Sequence, residues 1–177
     1  MATGPTYRVG YRRKRDGQTN YKSRLKTLKS GLTRLVIRPS NKHIKAQLVS
    51  YEENGDLIVA AATSSELKKH GWAHATGNLP AAYLTGLLCG IRGKQKGVKD
   101  AILDFGMNTS VKGSRIYAAL KGAVDGGLSI SHDPKMLPDD GRLKGSHIAS
   151  YKEKFKSMEA DFSKTKTAIE NDLKKKA

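Results

Sequence analysis

The sequence predicts an α/β protein, a mixed sheet with helices packed on it, flanked by a basic N-terminal arm and a C-terminal helical extension. Three observations carry that prediction. Runs at 35–37, 43–50, 57–62, 101–105 and 128–130 are apolar or alternating, as strands are, whereas 78–91 and 114–126 repeat apolar residues at helical spacing. Their order, β-β-β-α-β-α-β, is an antiparallel meander feeding two crossover units, and crossovers put parallel strands in a sheet with helices on its faces. Charge is also segregated. The first 45 residues hold 13 Lys and Arg against one acid, Asp16, while residues 46–110 hold 6 of each and residues 111–177 hold 14 and 9.

Taken in order, residues 1–18 are rich in Gly, Pro and Arg without an apolar period, and read as an extended arm. Asn20–Ser30 reads as a short helix, with Tyr21, Leu25 and Leu28 on one face and Lys22, Arg24, Lys26 and Lys29 on the others. Thr19 or Asn20 can cap it, and Gly31 ends it. Leu35-Val36-Ile37 suits a strand buried on both faces. After a turn at Pro39-Ser40-Asn41, Ile44, Ala46 and Leu48 alternate with His43, Lys45 and Gln47 in a half-buried strand. Asn54-Gly55 is a hairpin turn into the strand Leu57–Ala62.

Thr63–Gly77 reads as a polar linker carrying Trp72. Asn78-Leu79-Pro80 opens the clearest helix, with Tyr83, Leu84, Leu87, Leu88 and Ile91 on its core stripe, and Gly86 and Gly90 would let a neighbour approach closely. Ala101–Phe105 is a strand. Ser114–Gly126 is a helix with Ile116, Tyr117, Leu120, Ala123 and Val124 on its apolar side, and Leu128–Ile130 closes the core domain, 19–130. The extension, 131–177, begins as an irregular loop. From Ser146 a helix places Tyr151, Phe155, Met158 and Phe162 on one packing stripe, and the last dozen residues are expected to fray.

Composition excludes several function classes. The lone Cys89 permits neither an intramolecular disulfide nor a cysteine-based zinc site, and Leu87-Leu88-Cys89 reads as core in a reducing compartment. No apolar run approaches the ~20 residues of a membrane span, and none follows the basic N-terminus as a signal peptide requires, so a soluble intracellular protein is expected. His70 and His74 are four apart, but Gly71 interrupts the helix they would need as metal ligands. Asp104-Phe105-Gly106 copies a kinase signature without that family's other motifs and reads as a strand end and turn. Neither phosphate-binding glycine motif occurs, and no cofactor is expected. A nuclease would need several carboxylates converging on two metal ions, whereas the strands offer Asp104 alone, so catalysis is rejected.

The basic arm points to a polyanion. Tyr7, Tyr11 and Tyr21 are interleaved with Arg8, Arg12, Arg13, Lys14, Arg15, Lys22 and Arg24, a mixture suited to RNA, whose unpaired bases stack on aromatic rings and guanidinium planes. Lys29 continues the basic helix, and the turn at Arg38, Asn41, Lys42 and His43 can reach phosphate, 2′-hydroxyl or base edges, the alternative being a purely structural turn. A general nucleic-acid-binding or chaperone-like protein with no defined RNA fits the same features.

Several segments together carry a resemblance. Lys29-Ser30-Gly31, Arg34–Arg38 and Ser40–His43 resemble the front of large-subunit ribosomal protein eighteen, the 5S rRNA-binding family, and Ala2–Pro5 with Tyr11–Arg15 looks like its archaeal form. Thr76–Leu88 is the most distinctive block, and Leu103–Asn108, Gly113-Ser114 and Gly145–Ile148 continue it to about Tyr151, with little to match beyond Phe155. The resemblance implies the ribonuclease-H-like fold of translational components. It also implies a structural protein of the central protuberance that binds 5S rRNA and large-subunit rRNA beside neighbouring ribosomal proteins, including another 5S-binding protein.

Overall fold

Alternation along one strand sets the architecture. In the computed structural model, which describes residues 4–174, Leu35 and Ile37 are fully buried while Val36 and Arg38, pointing the other way, are not. They lie on β1 (Thr33–Pro39), the middle of a five-stranded sheet with β2 (Ile44–Glu52), β3 (Gly55–Thr63), β4 (Asp100–Asp104) and β5 (Ser129–Ile130) in the order β3-β2-β1-β4-β5. The β1–β2 and β2–β3 pairs are antiparallel, and the β1–β4 and β4–β5 pairs are parallel, as the meander and crossovers require.

One face of the sheet is covered and the other is open. Leu35, Ile37, Ile44, Ala46, Leu48, Ala60 and Ala62 pack under α3 (Leu79–Gln95) and α4 (Arg115–Asp125), which supply Leu84, Leu87, Leu88 and Leu120. The Asn78 side chain caps α3 by accepting from the Ala81 amide at 3.0 Å. The two helices interlock through glycine: a Cβ on Gly86 would collide with the Ala119 carbonyl, and one on Gly90 would lie 2.6 Å from that of Ala123. The expectation that Leu35-Val36-Ile37 is buried on both faces is therefore wrong, because no helix packs directly on Val36, which faces a cavity and is only half-buried.

Four further expectations are corrected. The β2–β3 turn is Glu53-Asn54, one residue earlier than the sequence indicated; Glu52 pairs with Gly55, and only Gly55 has a positive φ, of 146°. The Thr63–Gly77 linker is not loose. Ser64–His70 forms a 3-10 helix whose Thr63–Glu66 capping box fixes its start, and Trp72 is buried with its indole N–H on the Ala75 carbonyl at 3.1 Å.

The extension does not form one long helix from Ser146 either. It comprises α5 (Asp140–Lys144), α6 (Ser146–Ala149) and, after a break, α7 (Met158–Lys174). Tyr151 is 75% exposed, so the packing stripe is instead Met158, Phe162, Thr165 and Ile169. The Tyr83 and Phe162 rings meet at 5.4 Å, and His74 bonds Asp161 at 2.9 Å, so the first turns of α7 are docked on the core, and the helix extends to Lys174. The last three residues lie outside the described residues.

On the outer strand, side chains from α3 reach the exposed backbone. Arg92 donates to the Ala61 carbonyl at 2.6 Å and Lys96 to that of Val59 at 2.6 Å, and Glu66 holds Arg92 at 2.7 Å.

Candidate nucleic-acid interface

The N-terminal basic residues divide between those free at the surface and those committed to the sheet. Arg12–Arg15 forms a single helical turn, α1, rather than extended chain: the amides of Lys14 and Arg15 both reach the Tyr11 carbonyl at 3.0 Å. With one apolar neighbour and four cations, that segment carries no period to announce it. Its side chains fan outward. Arg8, Tyr11, Arg12, Arg13, Lys14 and Arg15 are all exposed, and Arg13 ties the turn to the Thr19 hydroxyl at 2.9 Å.

The following helix, α2 (Tyr21–Leu28), is capped by Asn20, which accepts from the Ser23 amide at 3.1 Å. Its apolar face does not enter the core. Leu25 is 57% exposed and no residue of α2 is buried. Tyr21 instead meets Tyr11 with ring centroids 4.9 Å apart, which places two stacking surfaces among the cations. Lys22 and Lys29 are exposed.

Arg24, half-buried, and Arg38, still exposed, are tied into a ladder of alternating charge across the open sheet face. Arg24 makes a bidentate pair with Asp56, both contacts at 2.9 Å. Asp56 also lies 2.8 Å from Arg34, which reaches Asp104 at 3.2 Å, and Asp104 pairs with Arg38 at 3.2 Å. The Arg24 hydrogen bond, aided by Arg34 against the cost of desolvation, holds the Asp56 carboxyl below its ordinary range. Asp104 also accepts from the Gly106 amide at 2.9 Å, the turn role the sequence assigned it. Sequence reasoning missed Arg34 and Asp56 entirely. Asp104 and Asp56 are each neutralised by arginine, and among the described residues no group of three His, Cys, Asp or Glu is placed to hold a metal ion.

The turn carrying Asn41, Lys42 and His43 is rigidly presented. Ser40 and His43 close it by backbone and hydroxyl bonds of 2.7–3.0 Å. Arg115 braces it from α4, donating to the Ser40 carbonyl at 2.9 Å and that of Gly77 at 3.0 Å, while Thr76 donates to the Lys42 carbonyl at 2.8 Å and meets the His43 ring at 3.1 Å. Gly77 sits where a Cβ would come within 2.9 Å of the Asn41 carbonyl. Asn41, Lys42 and His43 are exposed on this frame. Nothing in local spacing could have connected Thr76, Gly77 and Arg115 to a turn over thirty residues earlier.

A helix-backed mixed sheet bearing exposed cations and paired tyrosines defines the class: a structural α/β protein that presents a basic surface. Residues 5–99 and 91–133 match the family described as "Ribosomal large subunit proteins 60S L5, and 50S L18". The large ribosomal subunit protein uL18 of Haloarcula marismortui is 52% identical over 153 residues, 86% of this chain and 82% of its own length. Its namesakes from Halobacterium salinarum and Methanoregula boonei are 48% and 47% identical and cover 97% and 98% of this chain. The chain belongs to this family of large-subunit ribosomal proteins, structural components of the translation machinery and not enzymes. Coverage of that extent also takes the likeness past Phe155, where the sequence alone gave little to match.

Proposed function

We propose that this chain binds 5S rRNA and anchors it to the large-subunit rRNA in the central protuberance of a cytoplasmic ribosome, beside neighbouring large-subunit proteins that include another 5S-binding protein. One observation carries the reading. The segment with the greatest excess of charge, through α1 and α2, buries none of its side chains, whereas the domain behind it is neutral and close-packed. Apart from Arg24, which pairs with Asp56, such charge is suited to phosphate neutralisation, with Tyr11 and Tyr21 covering unstacked bases. The contact residues assigned are Arg8, Tyr11, Arg12, Arg13, Lys14, Arg15, Tyr21, Lys22 and Lys29, with Asn41, Lys42 and His43 on the braced turn. Arg24 and Arg38 contribute through the ladder that holds α2 and the β4 end in place.

The test is a binding series against 5S rRNA, an unrelated structured RNA and duplex DNA at matched physiological salt. Preference for 5S rRNA supports the reading. Equal affinity for all three would make this a general nucleic-acid binder and overturn it.

A further inference from the structure

Between the N-terminal segment and the open sheet face lies a cavity of about 590 Å³, within the size range of pockets that hold a small ligand. Its roof is Arg13, Asn20 and Tyr21, and its floor is Arg34, Val36 and Gln47. The gap exists because α2 is held over the sheet by the Arg24–Asp56 pair rather than by apolar packing. Arg34 is 3% exposed, and its Nε makes no hydrogen bond among the described residues, while its Nη2 lies 2.8 Å from Asp56 without hydrogen-bond alignment. Neither nitrogen has accessible surface, so the ion-paired guanidinium lends the cavity floor positive charge rather than a donor that a ligand can reach.

We propose that this cavity seats one unstacked guanine nucleotide of the bound RNA. The proposal rests on the RNA-binding reading above. The wall is rich in donors, and both carboxylates on it, Asp56 and Asp104, are already taken up by arginine, so the ligand must present acceptors. Guanine offers O6 and N7 side by side, the edge arginine reads best; Arg13, exposed in the roof and bonded to Thr19 through its Nε, stands outside the carboxylate ladder and can meet that edge, and the Gln47 amide can complete the contact. Tyr21, backed by Tyr11 at 4.9 Å, supplies a ring on which an extruded base stacks. The cations of α1 stand outside to hold the flanking phosphates. A cavity of this polarity thus becomes the place where one nucleotide is read.

The experiment is interference mapping of the full chain on 5S rRNA transcripts doped with 7-deazaguanosine, which lacks the N7 acceptor. Wild-type protein is expected to show one unpaired guanine at which the analogue weakens binding. Val36→Trp, which fills the cavity from its floor and leaves every charge in place, should weaken binding about tenfold and abolish interference at that guanine alone. Gln47→Glu, nearly isosteric and set to repel the acceptor edge, should do the same and serves if the tryptophan variant does not fold. Interference that both folded variants leave intact, or 5S rRNA binding with no guanine-specific interference, overturns the cavity assignment by itself. A wild-type chain without preference for 5S rRNA would overturn the functional reading and this proposal together.

Discussion

Arg34 and Asp104 come from neighbouring parallel strands and meet at 3.2 Å on the sheet face opposite α3 and α4, although the residue in register with Asp104 is Val36. The contact is diagonal, and it leaves Asp104 13% and Arg34 3% exposed. Asp104→Asn should therefore destabilise the fold by about 2–3 kcal/mol, more than one lost hydrogen bond, yet short of the cost of stripping a fully buried ion of its partner, because Asp56 still faces Arg34. Urea unfolding at neutral pH measures this. A loss under about 0.5 kcal/mol would show that the ladder does not stabilise the sheet face.

Acid should loosen the same ladder. Asp56 is held below its ordinary range chiefly by the Arg24 hydrogen bond. Its contribution is fully present above the unfolded carboxylate value, roughly pH 4, and disappears as pH falls through the lower folded value. Thermal stability should fall on acidification below about pH 4, and Asp56→Asn should flatten that part of the profile while lowering stability at pH 7. An unchanged acid profile in the variant would contradict this account.

Gly86→Ala should be among the most damaging single-methyl additions in the chain. The new Cβ would collide with the Ala119 carbonyl, a backbone atom that cannot rotate away. A loss at or above about 3 kcal/mol is expected, the upper end for overpacking, lowering Tm by some 6–12 °C. Gly10→Ala is the control, since its Cβ would meet nothing nearer than 3.8 Å and Gly10 has no positive φ.

Burial pushes the Cys89 thiol up to about 12. A thiol-specific reagent at pH 8 should leave the native chain unlabelled over hours and react promptly in denaturant, because only thiolate attacks. Rapid native labelling would mean that α3 opens locally.

Deleting residues 1–18 should leave a cooperatively melting protein, because the described part of that segment buries no side chain. RNA affinity should drop sharply. The salt dependence should become shallower by about 0.7–0.9 in log–log slope for each phosphate contact that the five removed cations had made. Full affinity at physiological salt would remove α1 from the interface.

The core was legible because its signals are local. The Leu84, Leu87 and Leu88 stripe has helical period, and Gly86 and Gly90 mark the only kind of residue that lets α4 come so close. What escaped reading depends on distant partners. Arg34 looks like any strand cation until Asp56 and Asp104, the latter 70 residues on, are seen to flank it. Trp72 sits in a polar stretch and is buried only because other elements close over it. Tyr151 and Phe155 matched a helical spacing by coincidence, since the chain breaks before Met158 and the true stripe runs on to Ile169. Of the candidate RNA contacts, the exposed ones could be picked by composition. That Arg24 and Arg38 face carboxylates could not, because charge counts do not reveal pairing.

The hand that α3 lays on β3 has a consequence for the chain before it meets any RNA. An outer strand with open carbonyls is a template on which an identical strand can crystallise, one copy after another. At Val59 and Ala61 those acceptors are already occupied by Lys96 and Arg92, and a second strand would have to expel two cations to dock. A newly made copy, crowded by others like itself, is thereby kept from seeding a fibre along this rim. The same two side chains that tidy the sheet act as a guard on its solubility.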